Sequence, residues 1–252
     1  PMTRYQPLPA DLFTQNRQRL YAQIPPRSLV ILHANDVLPT NADGSLVLVP
    51  NSDLFYLSGI EQEESILVIA PFAFDEKLRE ILFVREPSAH LKIWEGYKHS
   101  KEDAQKISGV RTVKWLADFE VTLRGLLCDA EHVFLNTNEH KRSSNLVETR
   151  DERFIAYIQK RFPLHSYRRL APLMHRLRVV KHKPELALLQ QAVDITAAGF
   201  ERVCKFVKPG VNECEVEAEF AHEFIRKRAK FAYNPIIASG GNATVLHYNQ
   251  ND

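Results

Sequence analysis

Ser65-Ile-Leu-Val-Ile-Ala70 is an unbroken apolar run that stops at Pro71, and Glu80-Ile-Leu-Phe-Val84 repeats the pattern beyond Asp75. Runs this short, rich in branched side chains and bounded by Pro or Asp, suit strands covered on both faces. A strand with one wet face would alternate apolar and polar residues instead. Ser28-Leu-Val-Ile-Leu32 reads the same way and closes on the Asn35-Asp36 turn signal. So do Leu46-Val-Leu-Val49 and His132-Val-Phe-Leu135. Helical patterns such as Phe119 to Leu127 alternate with them, which predicts an α/β domain over roughly residues 1–165. No G-x-G-x-x-G or phosphate loop follows any of these strands, so no nucleotide site is expected.

A first amphipathic helix is expected over residues 11–24, with Phe13, Leu20 and Ile24 apolar and Pro25-Pro26 as its stop. Residues 136–153 are rich in Asn, Glu, Lys, Arg and Ser and read as a solvated loop before a helix from Phe154 to Gln159, which Phe162-Pro163 ends. Tyr167-Arg-Arg169 and His175-Arg-Leu-Arg178 then gather positive charge. That cluster fits a solvated hinge or a patch for an acidic partner. Pro184 opens the longest helix, where its missing N–H costs nothing. Leu186, Leu189, Val193, Thr196, Phe200, Val203 and Val207 form one stripe along it, and Pro209-Gly210 is the stop. Such a stripe should pack on a sheet. Asn212 with Glu215 resembles a capping box for a further helix to about Arg228, with Val216, Phe220 and Phe224 facing inward. Glu219-Phe-Ala-His222 has a spacing that can put two metal ligands on one helical face, yet a single pair without further carboxylates reads as a solvated surface. No H-E-x-x-H or Cys/His zinc spacing occurs.

The chain has 252 residues, 44% hydrophobic and 25% charged, enough for one large domain or two small ones. Its 33 basic and 31 acidic residues nearly cancel, which gives no electrostatic case for nucleic acid or an anionic membrane as partner. No apolar run approaches the roughly 20 residues of a membrane span. Cys128, Cys204 and Cys214 cannot all pair and show no C-x-x-C spacing, so a reduced, cytoplasmic location is expected. Pro1-Met-Thr-Arg-Tyr5 has no long apolar core of a signal peptide, and Met2 reads as the initiator.

The functional signal lies in Tyr233-Asn-Pro-Ile-Ile-Ala-Ser-Gly-Gly-Asn-Ala-Thr-Val-Leu-His-Tyr248. It reads as two short strands around the Ser239-Gly-Gly-Asn242 turn, with His247 at a strand end where it can face a cleft. Upstream stand Asn51-Ser-Asp-Leu-Phe-Tyr-Leu-Ser-Gly-Ile60, Ile93-Trp-Glu-Gly-Tyr-Lys98 and Met174-His-Arg-Leu-Arg178 with Lys181 to Gly199. Together and in this order they resemble the Xaa-Pro aminopeptidases (aminopeptidase P) of the creatinase/prolidase "pita-bread" metallopeptidases.

The resemblance implies an α/β amino-terminal domain over residues 1–165, a linker over 166–183 and the beginning of a pita-bread α+β domain over 184–252. It implies hydrolysis that releases the residue preceding proline, using two divalent ions, manganese in the usual case, bridged by a hydroxide. Proline-containing peptides are the implied partners, and a homo-oligomer the implied assembly. His247 would line the substrate pocket as the catalytic candidate, hydrogen-bonding substrate or the tetrahedral intermediate. Tyr233 would help form the substrate site from behind, orienting the metal-binding carboxylates, and Trp94 would reach a neighbouring subunit's site. Asn51 to Tyr56 would be a strand near an interdomain or intersubunit surface. One departure matters. The family's five metal ligands, two Asp, one His and two Glu, are expected beyond Asp252, so none is assigned here. The chain by itself is therefore expected to be inactive, with the Leu186–Val207 stripe unpaired. A prolidase-like dipeptidase, a non-catalytic pita-bread module and a metal-free creatinase-like amidinohydrolase remain as alternatives.

Overall fold

All six residues of Ser28–His33 are buried, as a strand at the centre of a sheet must be. The computed structural model describes residue 5 and residues 7–143 and 146–252. The start signal discussed above, residues 1–4, lies outside them. The chain divides into two compact units, Pro7–Val180 and Lys181–Asp252. The first unit runs α1 (Ala10–Tyr21), β1 (Ser28–His33), β2 (Pro39–Asn41), β3 (Gly44–Ser45), α2 (Ser52–Ser58), β4 (Ile66–Ile69) and β5 (Glu80–Val84). Then follow α3 (Ala89–Trp94), α4 (Lys101–Ser108), β6 (Thr112–Trp115), α5 (Phe119–Asp129), β7 (His132–Leu135), α6 (Arg150–Arg161), β8 (Ser166–Arg169) and α7 (Ala171–Val179).

Six strands form one sheet in the order β6-β5-β4-β1-β7-β8. β4 runs against both neighbours, and the remaining pairs are parallel. The connections explain this. β4 turns back to β5 through residues 70–79, whereas helices join β5 to β6 and β7 to β8, as parallel pairs require. Alternate residues of β1 feed two cores. Val30 and Leu32 pack with Leu54, Leu57, Leu67, Ile69 and Met174 on one face. Leu29 and Ile31 pack with Ile66, Val68, Phe83, Phe119 and Ile158 on the other. The α/β class read from the buried runs is the architecture found.

Several local expectations need correction. Leu46, Val47 and Val49 are exposed and form no buried strand, because β2 and β3 pair only with each other, apart from the main sheet. Asn51 to Tyr56 is the start of α2, not a strand. The Asn51 side chain accepts from the N–H groups of Asp53 and Leu54 at 3.1 and 3.0 Å and so begins a helix. Trp94 ends α3, a short helix capped by Ser88, rather than lying in a loop. α6 begins at Arg150, earlier than expected, because Thr149 and Glu152 form a capping box. The stretch 166–183 is no free linker in its first part. Ser166–Arg169 pairs with β7 as the sixth strand, and α7 buries Leu173, Met174 and Leu177. The charge there is neutralised locally, Arg169 by Glu139 and Arg178 by Asp53.

Arg17 of α1 is fully buried. Its guanidinium donates to Glu80 at 3.0 Å, to the Leu57 carbonyl at 2.7 Å and to the Ser108 carbonyl at 2.9 Å. Leu57 and Ser108 lie in the last turns of α2 and α4, where carbonyls lack helical partners and the dipole favours a cation. Both helices then turn through a left-handed glycine, Gly59 and Gly109, each with φ 70°. A Cβ on Gly59 would overlap the Phe13 ring, and one on Gly109 would come within 2.6 Å of Thr14 Oγ1. α1 thus rests on two helix ends that only glycine lets it approach.

The second unit holds α8 (Lys183–Phe206) and α9 (Glu213–Arg226), with no strand among its described residues. Pro184 sits in the first turn of α8, and Asn212 and Glu215 form the expected capping box of α9. The two helices meet at Gly199 and at an edge-on contact of Phe200 with Phe220 at 5.0 Å. Leu186, Leu189, Val193, Phe200 and Val207 each remain between 50 and 60% exposed.

Replacing Arg17 by Met is expected to cost about 3–5 kcal/mol, because it strands a partly buried carboxylate and two helix-end carbonyls. Gly59→Ala is expected to cost at least about 1–2 kcal/mol from its backbone conformation, before the overlap with Phe13. Urea unfolding followed by circular dichroism measures both; midpoints equal to wild type would contradict this account.

Candidate functional site

Residues 233–252 form no strand pair. Gly240–Thr244 is one 3-10 turn, and a second turn is closed by the Tyr248 N–H to the Val245 carbonyl at 3.4 Å. His247 therefore sits in the middle of a turn, exposed, rather than at a strand end. The physical reason is that α9 takes the groups a hairpin would use. Glu213, in the first turn of α9 and only 5% exposed, accepts from the Ser239 N–H at 2.5 Å and the Ser239 hydroxyl at 2.8 Å. The Asn242 amide donates to both its oxygens at 3.3 Å.

Tyr248 closes the ring. Its hydroxyl accepts from Asn242 Nδ2 at 3.0 Å and from the Asp252 N–H at 2.8 Å. Burial pushes the Glu213 carboxyl up, but the polar groups of Tyr248, Ser239 and Asn242 around it outweigh that and hold it below the ordinary carboxylate range. One helical turn along, Glu217 accepts from Asn251 Nδ2 at 2.7 Å, and Asn251 Oδ1 takes the Ile237 N–H at 3.1 Å. Asn251 is 2% exposed and left-handed, φ 53°, a conformation Asn tolerates better than most residues. Two carboxylates on one face of α9 therefore anchor the segment at both ends of the His247 turn.

Tyr233 is exposed at the start of the same segment. Trp94 belongs to the first unit, exposed beside Ile93. Reading residue by residue missed Glu213, Glu217 and Asn251. No local signal marks Glu213, which stands beside the capping box in an acidic first turn as many helix-start residues do.

Among the described residues, no group of three or more His, Cys, Asp or Glu side chains is arranged to hold a metal ion. Glu219 is paired with Arg202, and His222 is exposed. Glu213 has spent its acceptor capacity on neutral donors. These side chains do not fit the two-metal site that the resemblance implies. Two cavities of about 740 and 620 Å³ open in the first unit, but neither is lined by Trp94. Several charges on their walls are paired within the protein, as Arg153 is with Asp36 and Arg85 with Glu63.

A carboxyl whose folded value is depressed stabilises its contacts above the ordinary range, and that stabilisation is lost as pH falls through the lowered value. The Ser239 amide resonance is therefore expected to shift with a midpoint below 4.5, the ordinary Glu value. Glu213→Gln is expected to remove that step, and a titration unchanged in the variant would mean that another group drives it.

Comparison with known proteins follows the same two-part division. The family model for the aminopeptidase P amino-terminal domain matches residues 13–134, and that for metallopeptidase family M24 matches residues 187–252. Xaa-Pro aminopeptidase of Haemophilus influenzae is 28% identical over 97% of this chain and 54% of its own. The Escherichia coli Xaa-Pro aminopeptidase is 28% identical over 95% of this chain and 55% of its own. The solved structure of Pseudomonas aeruginosa aminopeptidase PepP superposes with a TM-score of 0.85 at 27% identity, covering 98% of this chain and 56% of that one. A Bacillus anthracis structure assigned to aminopeptidase P gives 0.89 at 31% identity, covering 97% and 58%. The chain spans about half the length of the curated relatives it matches. With both family matches in order and the fold shared, this chain belongs to the aminopeptidase P group of the M24 metallopeptidase family.

Proposed function

We propose that the full-length protein is a Xaa-Pro aminopeptidase, hydrolysing the bond between an amino-terminal residue and a following proline. The observation that carries this reading is the match to curated relatives of that name over 95% or more of the chain, running through both units. His247, exposed at the tip of a turn anchored on both sides, is suited to meet the substrate. There its imidazole would hydrogen-bond the peptide and the oxygen that gains charge as the tetrahedral intermediate forms. Tyr233 would stand behind it in the same segment.

M24 is a metallopeptidase family. We assign the activity to two divalent ions, manganese in this reading, with ligands outside the described residues. We further propose a homo-oligomer in which Trp94, exposed with Ile93 and Tyr97, is contributed across the contact. A cytoplasmic location accords with three exposed, unpaired cysteines, and no helix among the described residues is long and apolar enough to cross a membrane.

The full-length protein with Mn²⁺ is expected to release the first residue of an Xaa-Pro peptide, detected by mass spectrometry. His247→Ala is expected to lower kcat/KM by about 10²-fold, the scale of one lost transition-state hydrogen bond. The 252-residue chain under the same conditions is expected to give no turnover. Cleavage of dipeptides alone would move the assignment to prolidase. Trp94→Ala is expected to shift the full-length protein toward smaller species in sedimentation velocity.

A further inference from the structure

Glu213 has features that a helix-start residue does not need. The start of α9 is already closed, because Asn212 Oδ1 accepts from the Cys214 N–H at 2.8 Å and Glu215 accepts from the Asn212 N–H at 2.9 Å. The Glu213 oxygens turn instead to the other segment. Every group they meet there is a donor: the Ser239 N–H, the Ser239 hydroxyl and the Asn242 amide. Only an ionised carboxylate accepts from all of them, since a glutamine would aim its own NH₂ at one of these donors. No cation lies within ion-pair distance of Glu213 among the described residues. Its bonds hold the entry of one loop directly and reach the exit through Asn242. Ser239 precedes the 3-10 turn, and the Asn242 amide that meets Glu213 also donates to the Tyr248 hydroxyl, beyond the turn that carries His247. One side chain thus organises both ends of the stretch that presents His247.

We infer that Glu213 is a positioning residue for the peptidase reaction, setting His247 through Ser239, Asn242 and Tyr248. The inference rests on the reading of His247 as the residue that meets substrate. Without the Glu213 anchor, residues 240–247 keep their sequence but lose a defined direction, and a turn that must hold an imidazole to a fraction of an ångström no longer does so.

The test is a double-mutant cycle in the full-length, metal-loaded protein. Glu213→Gln is expected to lower kcat on an Xaa-Pro peptide by about tenfold or more with KM changed less than about threefold, the pattern of a lost transition-state contact. Made in a His247→Ala background, the same change is expected to cost less than about twofold, because residues acting through one another are not additive. Equal losses in both backgrounds, or no loss in either, overturn the inference. A second readout uses the 252-residue chain and no activity. Glu213→Gln is expected to speed amide hydrogen exchange at residues 239–248 about tenfold or more while leaving α8 unchanged. Unchanged exchange overturns the inference. If the full-length protein proves unable to cleave Xaa-Pro peptides, the functional reading fails and the exchange experiment alone decides the role of Glu213. Tyr248→Phe keeps the ring and removes the hydroxyl that accepts from Asn242 and from the Asp252 N–H. It is expected to give smaller losses in the same readouts, and it keeps the test open should Glu213→Gln not fold.

Discussion

A guanidinium sealed from solvent ties the first unit together. Arg17 must find partners inside the protein, because an unpaired buried charge costs several kcal/mol. It finds three beyond its own helix, each from a different part of the chain: Glu80 at the start of β5, Leu57 in α2 and Ser108 in α4. Glu80 is also bonded by the Tyr21 hydroxyl, whose ionisation burial and that carboxylate push well above the ordinary range. Packed apolar groups in place of both partners of such a pair often stabilise a core as much or more. What the ion pair adds is direction. Its donors lie in one plane and are satisfied only when α1, α2, α4 and β5 meet in one arrangement.

The sequence around those contacts is repeated. Leu57-Ser-Gly-Ile60 and Ile107-Ser-Gly-Val110 end two helices in the same way. In each, the serine hydroxyl donates back to a helical carbonyl, Leu54 or Ala104, and accepts from the N–H two residues on, Ile60 or Val110. The glycine between allows the left-handed turn and leaves room for α1. Ile60 and Val110 then drop into the core just ahead of β4 and β6. A helix end, a turn and the entry to a strand are fixed by four residues, and Arg17 reads both copies at once.

How far the fold was legible follows from which residues are buried. β1, β4, β5 and β7 announced themselves because strands covered on both faces are apolar throughout. β6 and β8 lie at the sheet's edges, where polar residues such as Lys114, Arg168 and Arg169 are free to face water, so Ser166–Arg169 looked like a charged hinge. Leu46 to Val49 misled for the opposite reason, being apolar yet outside the sheet. At the site, His247 and Tyr248 stood out only through resemblance. Glu213 could not be found from spacing, because its partners are 26 to 29 residues away and are brought to it only by the fold. The strand pair expected around Ser239-Gly-Gly-Asn242 failed because two carboxylates on α9 offered those backbone and amide donors a better acceptor than a second short strand could.

The second unit shows why such polar anchors matter. Five side chains of α8 remain about half exposed along one stripe. Covering them would contribute roughly 5 kcal/mol, taking half of the roughly 1.5–3 kcal/mol that full burial of each contributes, comparable with the whole stability of many domains. A surface of that size is one that a folded protein covers. Until it is covered, apolar burial holds the unit weakly, and a loop that depended on the same core would have no fixed shape. The segment around His247 does not depend on it. Its geometry comes from hydrogen bonds to Glu213 and Glu217 on a single helix, and Tyr248 and Asn251 are buried against that helix although most of their neighbours are exposed. The loop's shape is therefore a local property of α9, separable from whatever covers the stripe on α8.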